Sequence, residues 1–145
     1  MRAVVQRVKE TSLKVDGVLI SKIQKGLVVY LGVEVEDSEE AIPYLAKKIA
    51  NMRIFEDSDG KMNLSVLDVK GEILCVSQFT LYGDATHGNR PSFSRAERPE
   101  RAKVLYDKFC NNLSTHGVEV KKGVFGADMQ IDQHNDGPVT IIIEK

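Results

Sequence analysis

Cysteine is scarce in this chain: Cys75 and Cys110 are the only two, 35 positions apart and each inside an apolar segment. They read as buried thiols of a reducing cytosol, not as a disulfide staple or part of a metal site. No Cys-x-x-Cys, no histidine pair at metal-ligand spacing and no Walker-type glycine loop occurs. Neither a metal nor a nucleotide cofactor is therefore expected. Long apolar runs are missing too. None approaches the roughly 20 residues that cross a bilayer, so no membrane partner is expected. A strong charge of either sign is also absent. With 20 basic and 21 acidic residues the net charge is −1, which excludes a protein that holds nucleic acid by its overall field. The opening "MRAVVQRVKE" alternates apolar and charged residues, unlike a secretory or transit peptide. A cytoplasmic location is the expectation.

What is present suits one domain, residues 1–145, with 42% hydrophobic and 28% charged residues. "RAVVQRV" (2–8) alternates like a half-buried strand, and "SLKVDGVLISKI" (12–23) carries Asp16-Gly17, a strong hairpin turn. "GLVVYLGVEV" (26–35) is a glycine-bounded apolar run suited to a central strand. Residues 38–51 switch to helical character, with Ser38 as a candidate cap and Pro43 pushing the regular start toward Ile42. "RIFEDSDGKMN" reads as a strand with a turn at Asp59-Gly60, and "GEILCVSQFTLYG" (71–83) as another buried strand.

The longest helix is predicted from about Pro99 to His116. Proline fits its first position, Ala102, Leu105, Tyr106, Phe109 and Leu113 share one face, and Gly117 ends it. Three strands follow: "VEVKKGVF", "ADMQIDQH" and "PVTIIIE". Between the last two, Asn135-Asp136-Gly137 reads as a turn and Pro138 as the first residue of the final strand. About eight strands and two helices, rich in hairpins, argue against a doubly wound fold. The expected class is α/β, with mixed β-sheets packed on each other and the helices covering one side.

Two windows bear on chemistry. Residues 87–103 hold Arg90, Arg95, Arg98, Arg101 and Lys103 against Glu97 and Glu100, a local excess of three positive charges. Taken alone this is a solvated helix face; on a neutral protein it is also how the end of a nucleic acid can be held. The second window is "SQFTLYGDATHGNRPSF" (77–93), where an apolar strand runs directly into Ser77, Gln78 and Thr80. Ser77 or Thr80 with His87 would supply a nucleophile and base for acyl transfer. No Gly-x-Ser-x-Gly elbow surrounds either hydroxyl, however, and no acid is placed to orient His87. Polar residues bonding at a strand end fit equally well.

Ser77-Gln78-Phe79-Thr80-Leu81 together with Asn135-Asp136-Gly137-Pro138-Val139-Thr140 resembles the paired signature of the D-aminoacyl-tRNA deacylase (D-tyrosyl-tRNA deacylase) family. "MRAVVQRV", "GLVVYLGV", "GNRPSF" and "FGADM" follow in the family's order, so the resemblance spans essentially the whole chain. It implies a homodimer with active sites at the subunit interface and, as partner, the 3′ end of aminoacylated tRNA. The implied reaction is hydrolysis of the ester between a D-amino acid and the terminal adenosine, with glycyl-tRNA a further substrate and the L form rejected. The family's catalytic stretch falls on Ser77, Gln78, Phe79 and Thr80. Its substrate-binding peptide, cis and reaching into the other subunit's site, falls on Gly137-Pro138. Phe125 and Met129 would line the adenosine pocket, with core packing as the alternative for both.

The resemblance gives the tail a physical purpose. A filter that tests chirality without gripping any particular side chain is best built from fixed backbone. Carbonyls that hold the α-amino group would point a D side chain toward solvent and drive an L side chain into the Gly137-Pro138 wall. Two mechanisms stay open: Thr80 as a covalent nucleophile, or attack by water with backbone N–H groups near Phe79 and Thr80 holding the oxyanion and the 2′-hydroxyl assisting. Other classes to separate are a non-catalytic tRNA-end binder and a Ser/Thr hydrolase of small esters.

Overall fold

A computed structural model describes residues 1–145. Its first strand, β1 (Arg2–Val15), turns at Asp16-Gly17, both at positive φ, into β2 (Val18–Ile23). β3 (Gly26–Gly32) returns antiparallel to the first half of β1. Helix α1 (Ala41–Ala50) and the small ribbon β4 (Phe55–Glu56) and β5 (Met62–Leu64) lead to β6 (Glu72–Ser77), parallel to β3. A 3-10 turn (Phe79–Tyr82), helix α2 (Pro99–Ser114), β7 (Glu119–Lys122) and β8 (Gln130–Glu144) complete the chain. No helix is long and apolar enough to cross a membrane.

The six-stranded mixed sheet runs β2-β1-β3-β6-β7, with β8 along the other side of β1. β3 pairs with the first half of β1 and β2 with the second, so the sheet curls until its ends meet. Ser21 Oγ donates to the Lys122 carbonyl at 2.7 Å, and Lys121 Nζ to the Lys22 carbonyl at 2.8 Å, joining β2 to β7. The expected packing of sheet on sheet thus takes the form of one sheet folded almost into a barrel.

Strand alternation sorts the core into two faces. Val8, Leu13, Ile23, Val28, Leu74 and Val76 fill the inside. Ala3, Val5, Leu27, Val29, Leu31, Ile73 and Cys75 point the other way, under α1 and α2. Phe109 and Leu113 of α2 and Leu45 and Ile49 of α1 are fully buried there. Each such side chain stabilises the fold by about 1.5–3 kcal/mol. Cys75 and Cys110 are both free and buried in this layer. A hydrogen bond with Cys110 and burial hold the Cys75 thiol well above its ordinary range.

Four expectations need correction. Ser38 makes no side-chain cap; α1 begins at Ala41, after Ala41 N–H and Ile42 N–H bond the Ser38 and Glu39 carbonyls. The strand read over 71–83 stops at Ser77, whose pairing with Leu31 is the last rung beside β3. With no ladder beyond, Phe79–Tyr82 winds into the 3-10 turn. The strand read in "VEVKKGVF" is confined to Glu119–Lys122. Finally, Asn135-Asp136-Gly137 is not a turn between two strands. β8 runs through it unbroken, because β1 offers a partner on both sides.

Candidate active site

The irregularity in the β1–β8 pairing is a bulge. Two steps along β1, Gln6 to Val8, are matched by five along β8, Thr140 to Asn135. The excess residues stand opposite Arg7 and project from the ladder. Gly137 has φ +126°, a conformation open to glycine, and a Cβ there would lie 2.8 Å from Val139 Cγ2. The Gly137-Pro138 peptide is cis, and both residues are exposed.

Arg7 anchors this bulge and was not singled out from the sequence. It is 4% exposed. Its Nη1 donates to the Ile54 carbonyl at 2.6 Å and its Nε to the Asp136 carbonyl at 3.2 Å, with the Asp136 carboxylate also 3.2 Å away. A signal existed: alternation in "RAVVQRV" puts Arg7 on the same face as Ala3 and Val5, and a charge on a buried face needs partners. A polar ladder steadies the flank. Tyr30 Oη donates to Gln133 Oε1 at 2.9 Å, and Gln133 Nε2 donates to Gln6 Oε1 at 2.8 Å.

A cleft of about 650 Å³ opens at the carboxyl ends of the parallel strands β3 and β6. Ligands of parallel-sheet proteins gather at such ends. Ser77, Gln78 and Phe79 form one wall, and Ala102 of α2, Phe125 and Met129 form others. The lining is mostly apolar and of the size that takes a nucleoside. A smaller hollow of about 350 Å³ beside Glu10, Lys22, Asp132 and His134 is lined by no hydrophobic residue. Phe125 and Met129 serve the core as well as the cleft. The Phe125 ring lies 6.1 Å from that of Tyr106, and Met129 packs on the barrel interior.

Thr80 lies just outside this lining, exposed, with its hydroxyl accepting from Gln78 Nε2. No hydrogen bond joins Thr80 or Ser77 to His87, which sits in an exposed loop, so the structure assembles no hydroxyl–imidazole pair. The 3-10 turn orients its own backbone instead. Gln78 N–H is spent on the Leu31 carbonyl at 2.8 Å and Leu81 N–H on the Gln78 carbonyl at 3.3 Å. Phe79 and Thr80 N–H stand at the start of the turn, where a helix has no earlier carbonyls of its own to offer.

Gly137 and Pro138 do not line this cleft. At their level β1 and β3 intervene between β8 and β6, three strand spacings or roughly 14 Å along the sheet. The structure therefore brings Ser77, Gln78, Phe79, Phe125 and Met129 together and leaves the dipeptide on another face of the same subunit.

The basic window loses most of its free charge on folding. Arg95 pairs with Glu34, Arg101 with Glu97, and Lys103 with Asp107. The Arg98 N–H and the Arg101 guanidinium hold Glu97 below the usual carboxylate range. Only Arg90 and Arg98 of the five cations have no ion-pair partner.

Comparison with known proteins agrees with this architecture over its full length. The D-aminoacyl-tRNA deacylase of Fervidobacterium nodosum is 55% identical over 144 residues, covering 99% of this chain and 97% of that protein. A solved structure titled c-Myc DNA Unwinding Element Binding Protein superposes with a TM-score of 0.93 at 44% identity, covering 100% of this chain and 99% of the other. A probable eukaryotic D-amino acid tRNA deacylase, 19% identical with a TM-score of 0.85 over 98% and 97% of the two chains, shares the fold. The family model described as D-Tyr-tRNA(Tyr) deacylase matches residues 4–144, from β1 to the end of β8. By that match and the identity behind it, this chain belongs to the D-Tyr-tRNA(Tyr) deacylase family.

Proposed function

We propose that the protein, acting as a single domain, hydrolyses the ester linking a D-amino acid to the terminal adenosine of tRNA and spares the L form. The observation that carries this is the apolar cleft walled by Ser77, Gln78 and Phe79, in a chain 55% identical to a D-aminoacyl-tRNA deacylase. Adenosine enters between Phe125 and Met129, and the ester carbonyl faces the Phe79 and Thr80 N–H groups. Backbone donors aimed at a developing oxyanion typically supply a factor of about 10²–10³ in rate each. Water attacks, and the adenosine 2′-hydroxyl, next to the ester, assists the proton transfers. Thr80 is not the nucleophile in this reading, since the one polar group bonded to its hydroxyl is the Gln78 amide, which is no base.

The filter comes from a second copy. Gly137 and Pro138 are exposed and lie outside the cleft of their own chain. β8 is paired on one side only, leaving a 15-residue edge with Ile141 37% and Ile142 64% exposed. Such an edge invites pairing with another chain. In the homodimer each Gly137-Pro138 enters the partner's cleft, where its carbonyls hold the α-amino group. Glycyl-tRNA passes the same test, having no side chain to exclude.

A second reading takes its cue from the 44% identical structure named for DNA-element binding: a nucleic-acid binder without turnover. One assay separates the two. Catalytic amounts of protein are incubated with D-tyrosyl-tRNA and L-tyrosyl-tRNA. Release of D-tyrosine alone supports the deacylase. Stoichiometric binding with both esters intact supports the binder, and equal cleavage of both removes the chirality filter.

A further inference from the structure

Beside the cleft stands a pair of aromatic rings with no evident structural need to face water. Phe79 is 55% and Phe93 39% exposed, their ring centroids 5.2 Å apart in an edge-to-face arrangement. Both border the cleft mouth, next to Arg98. The Phe93 ring is held by backbone. It lies so close over Gly83 that a Cβ there would sit 2.9 Å from Phe93 Cε1. Asp84 and Ser92 exchange two backbone hydrogen bonds of 2.8 Å each, closing the base of the loop that precedes Phe93. The rings are thus set in place before anything binds.

Charge at this mouth is equally selective. Arg95, Arg101 and Lys103 are committed to carboxylates, and Glu97 is occupied by Arg101 and the Arg98 N–H. The Arg98 side chain is exposed and free, and Arg90 is free on the loop that carries Phe93. An exposed aromatic face beside an uncommitted guanidinium is the chemistry that recognises single-stranded nucleotides, one group stacking on a base and the other taking a phosphate.

Resting on the reading that the cleft takes the aminoacyl-adenosine, we propose that Phe79, Phe93 and Arg98 seat the nucleotide joined to the 5′ side of that adenosine. Its base stacks on the exposed ring faces. The phosphodiester between the two nucleotides meets Arg98. Continuity with the cleft fixes the occupant: a strand entering by its terminal adenosine must leave across this mouth.

The test compares two substrates, a D-aminoacyl-adenosine and a D-aminoacyl trinucleotide ending in cytidine-adenosine, with the intact protein, Arg98→Gln and Phe93→Leu. The readout is the ratio of kcat/KM for trinucleotide over nucleoside. It should be well above about ten in the intact protein and fall about tenfold in each variant, the loss of one stacked base or one phosphate contact. The change should appear in KM, not kcat. Amide-linked analogues with a fluorescent cytidine before the adenosine give a second readout: quenching on binding to the intact protein that is lost in Phe93→Leu. Variants that lower both substrates equally, or a ratio unchanged in both, would overturn the seat. If neither ester is cleaved by any form, the deacylase reading fails, yet affinity and quenching of the amide analogues still decide this proposal. Should Phe93→Leu prove unfolded by its melting curve, Arg98→Gln alone suffices.

Discussion

Arg7 and Gly137 face each other across the β1–β8 ladder, with Arg7 Nη2 3.4 Å from where a Cβ of Gly137 would stand. The guanidinium carries the bulge. Its two carbonyl partners, on Ile54 and Asp136, lie on different elements, so one planar fork sets the height of the Gly137-Pro138 projection over the sheet. Arg7→Leu leaves those carbonyls without a donor and should cost about 1–3 kcal/mol each if no water enters. Arg7→Lys keeps the charge without the fork. It should remain folded, measured by thermal melting, yet lose at least about tenfold in D-aminoacyl-tRNA turnover. Wild-type turnover in a folded Arg7→Lys would show that the bulge needs no such anchor.

Thr80 separates the two chemistries. If backbone and substrate do the work, Thr80→Ala should keep turnover within about tenfold of wild type, because it removes a hydroxyl but neither N–H group. A terminal 2′-deoxyadenosine should slow the same protein far more. A trapped acyl-threonine, or a folded Thr80→Ala without activity, would establish covalent catalysis.

Glu72 ties the ends of the barrel. Burial pushes its carboxyl up, but the Gln24 N–H at 2.7 Å and Lys121 Nζ at 2.8 Å prevail and set it below its ordinary 4.5. A depressed carboxyl contributes stability that is complete above the unfolded value and lost as pH falls through the folded one. Wild type should therefore exceed Glu72→Gln by about 1 kcal/mol at pH 7. That gap should shrink as pH falls below 4.5 and close only once pH has passed below the depressed folded value, where both side chains are neutral. Urea melts in steps from pH 7 down to pH 2 measure it; a gap that stays constant over the whole range would mean that the charge contributes nothing.

Binding of tRNA should depend only weakly on salt. Folding leaves Arg90 and Arg98 as the free cations of the 87–103 window. Two phosphate contacts give a log–log slope of about −1.5. A slope beyond about −4 would mean a broad phosphate footprint that this surface does not suggest.

What could be read from the sequence was whatever depends on near neighbours. The Asp16-Gly17 hairpin, the start of α2 at Pro99 and its end before Gly117 all follow from local backbone preference. The polar run at 77–80 and the apolar strand before it located the cleft wall. Features decided by distant partners were not legible. Asn135-Asp136-Gly137 has the composition of a turn, and only β1, some 130 residues away in sequence, makes it a bulge within a strand. The +3 window looked basic because Glu34, which neutralises Arg95, lies 61 positions upstream. Arg7 showed its burial in the alternation, but its carbonyl partners on Ile54 and Asp136 belong to the folded chain alone.

Whether one site is built from two chains can be decided with a purified heterodimer. One subunit carries Gly137→Ala, whose methyl would meet Val139 at 2.8 Å and whose φ of +126° disfavours any Cβ. The other carries Ala102→Phe, which projects a ring from α2 into the cleft. Each homodimer should be folded and inactive toward D-tyrosyl-tRNA. In the heterodimer, the open cleft of the first subunit meets the unaltered Gly137-Pro138 of the second, so one site in two is whole. It should recover about half of wild-type D-tyrosyl-tRNA hydrolysis and still spare the L form. A folded heterodimer with no activity, or a fully active Gly137→Ala homodimer, would mean that the dipeptide does not complete the partner's site.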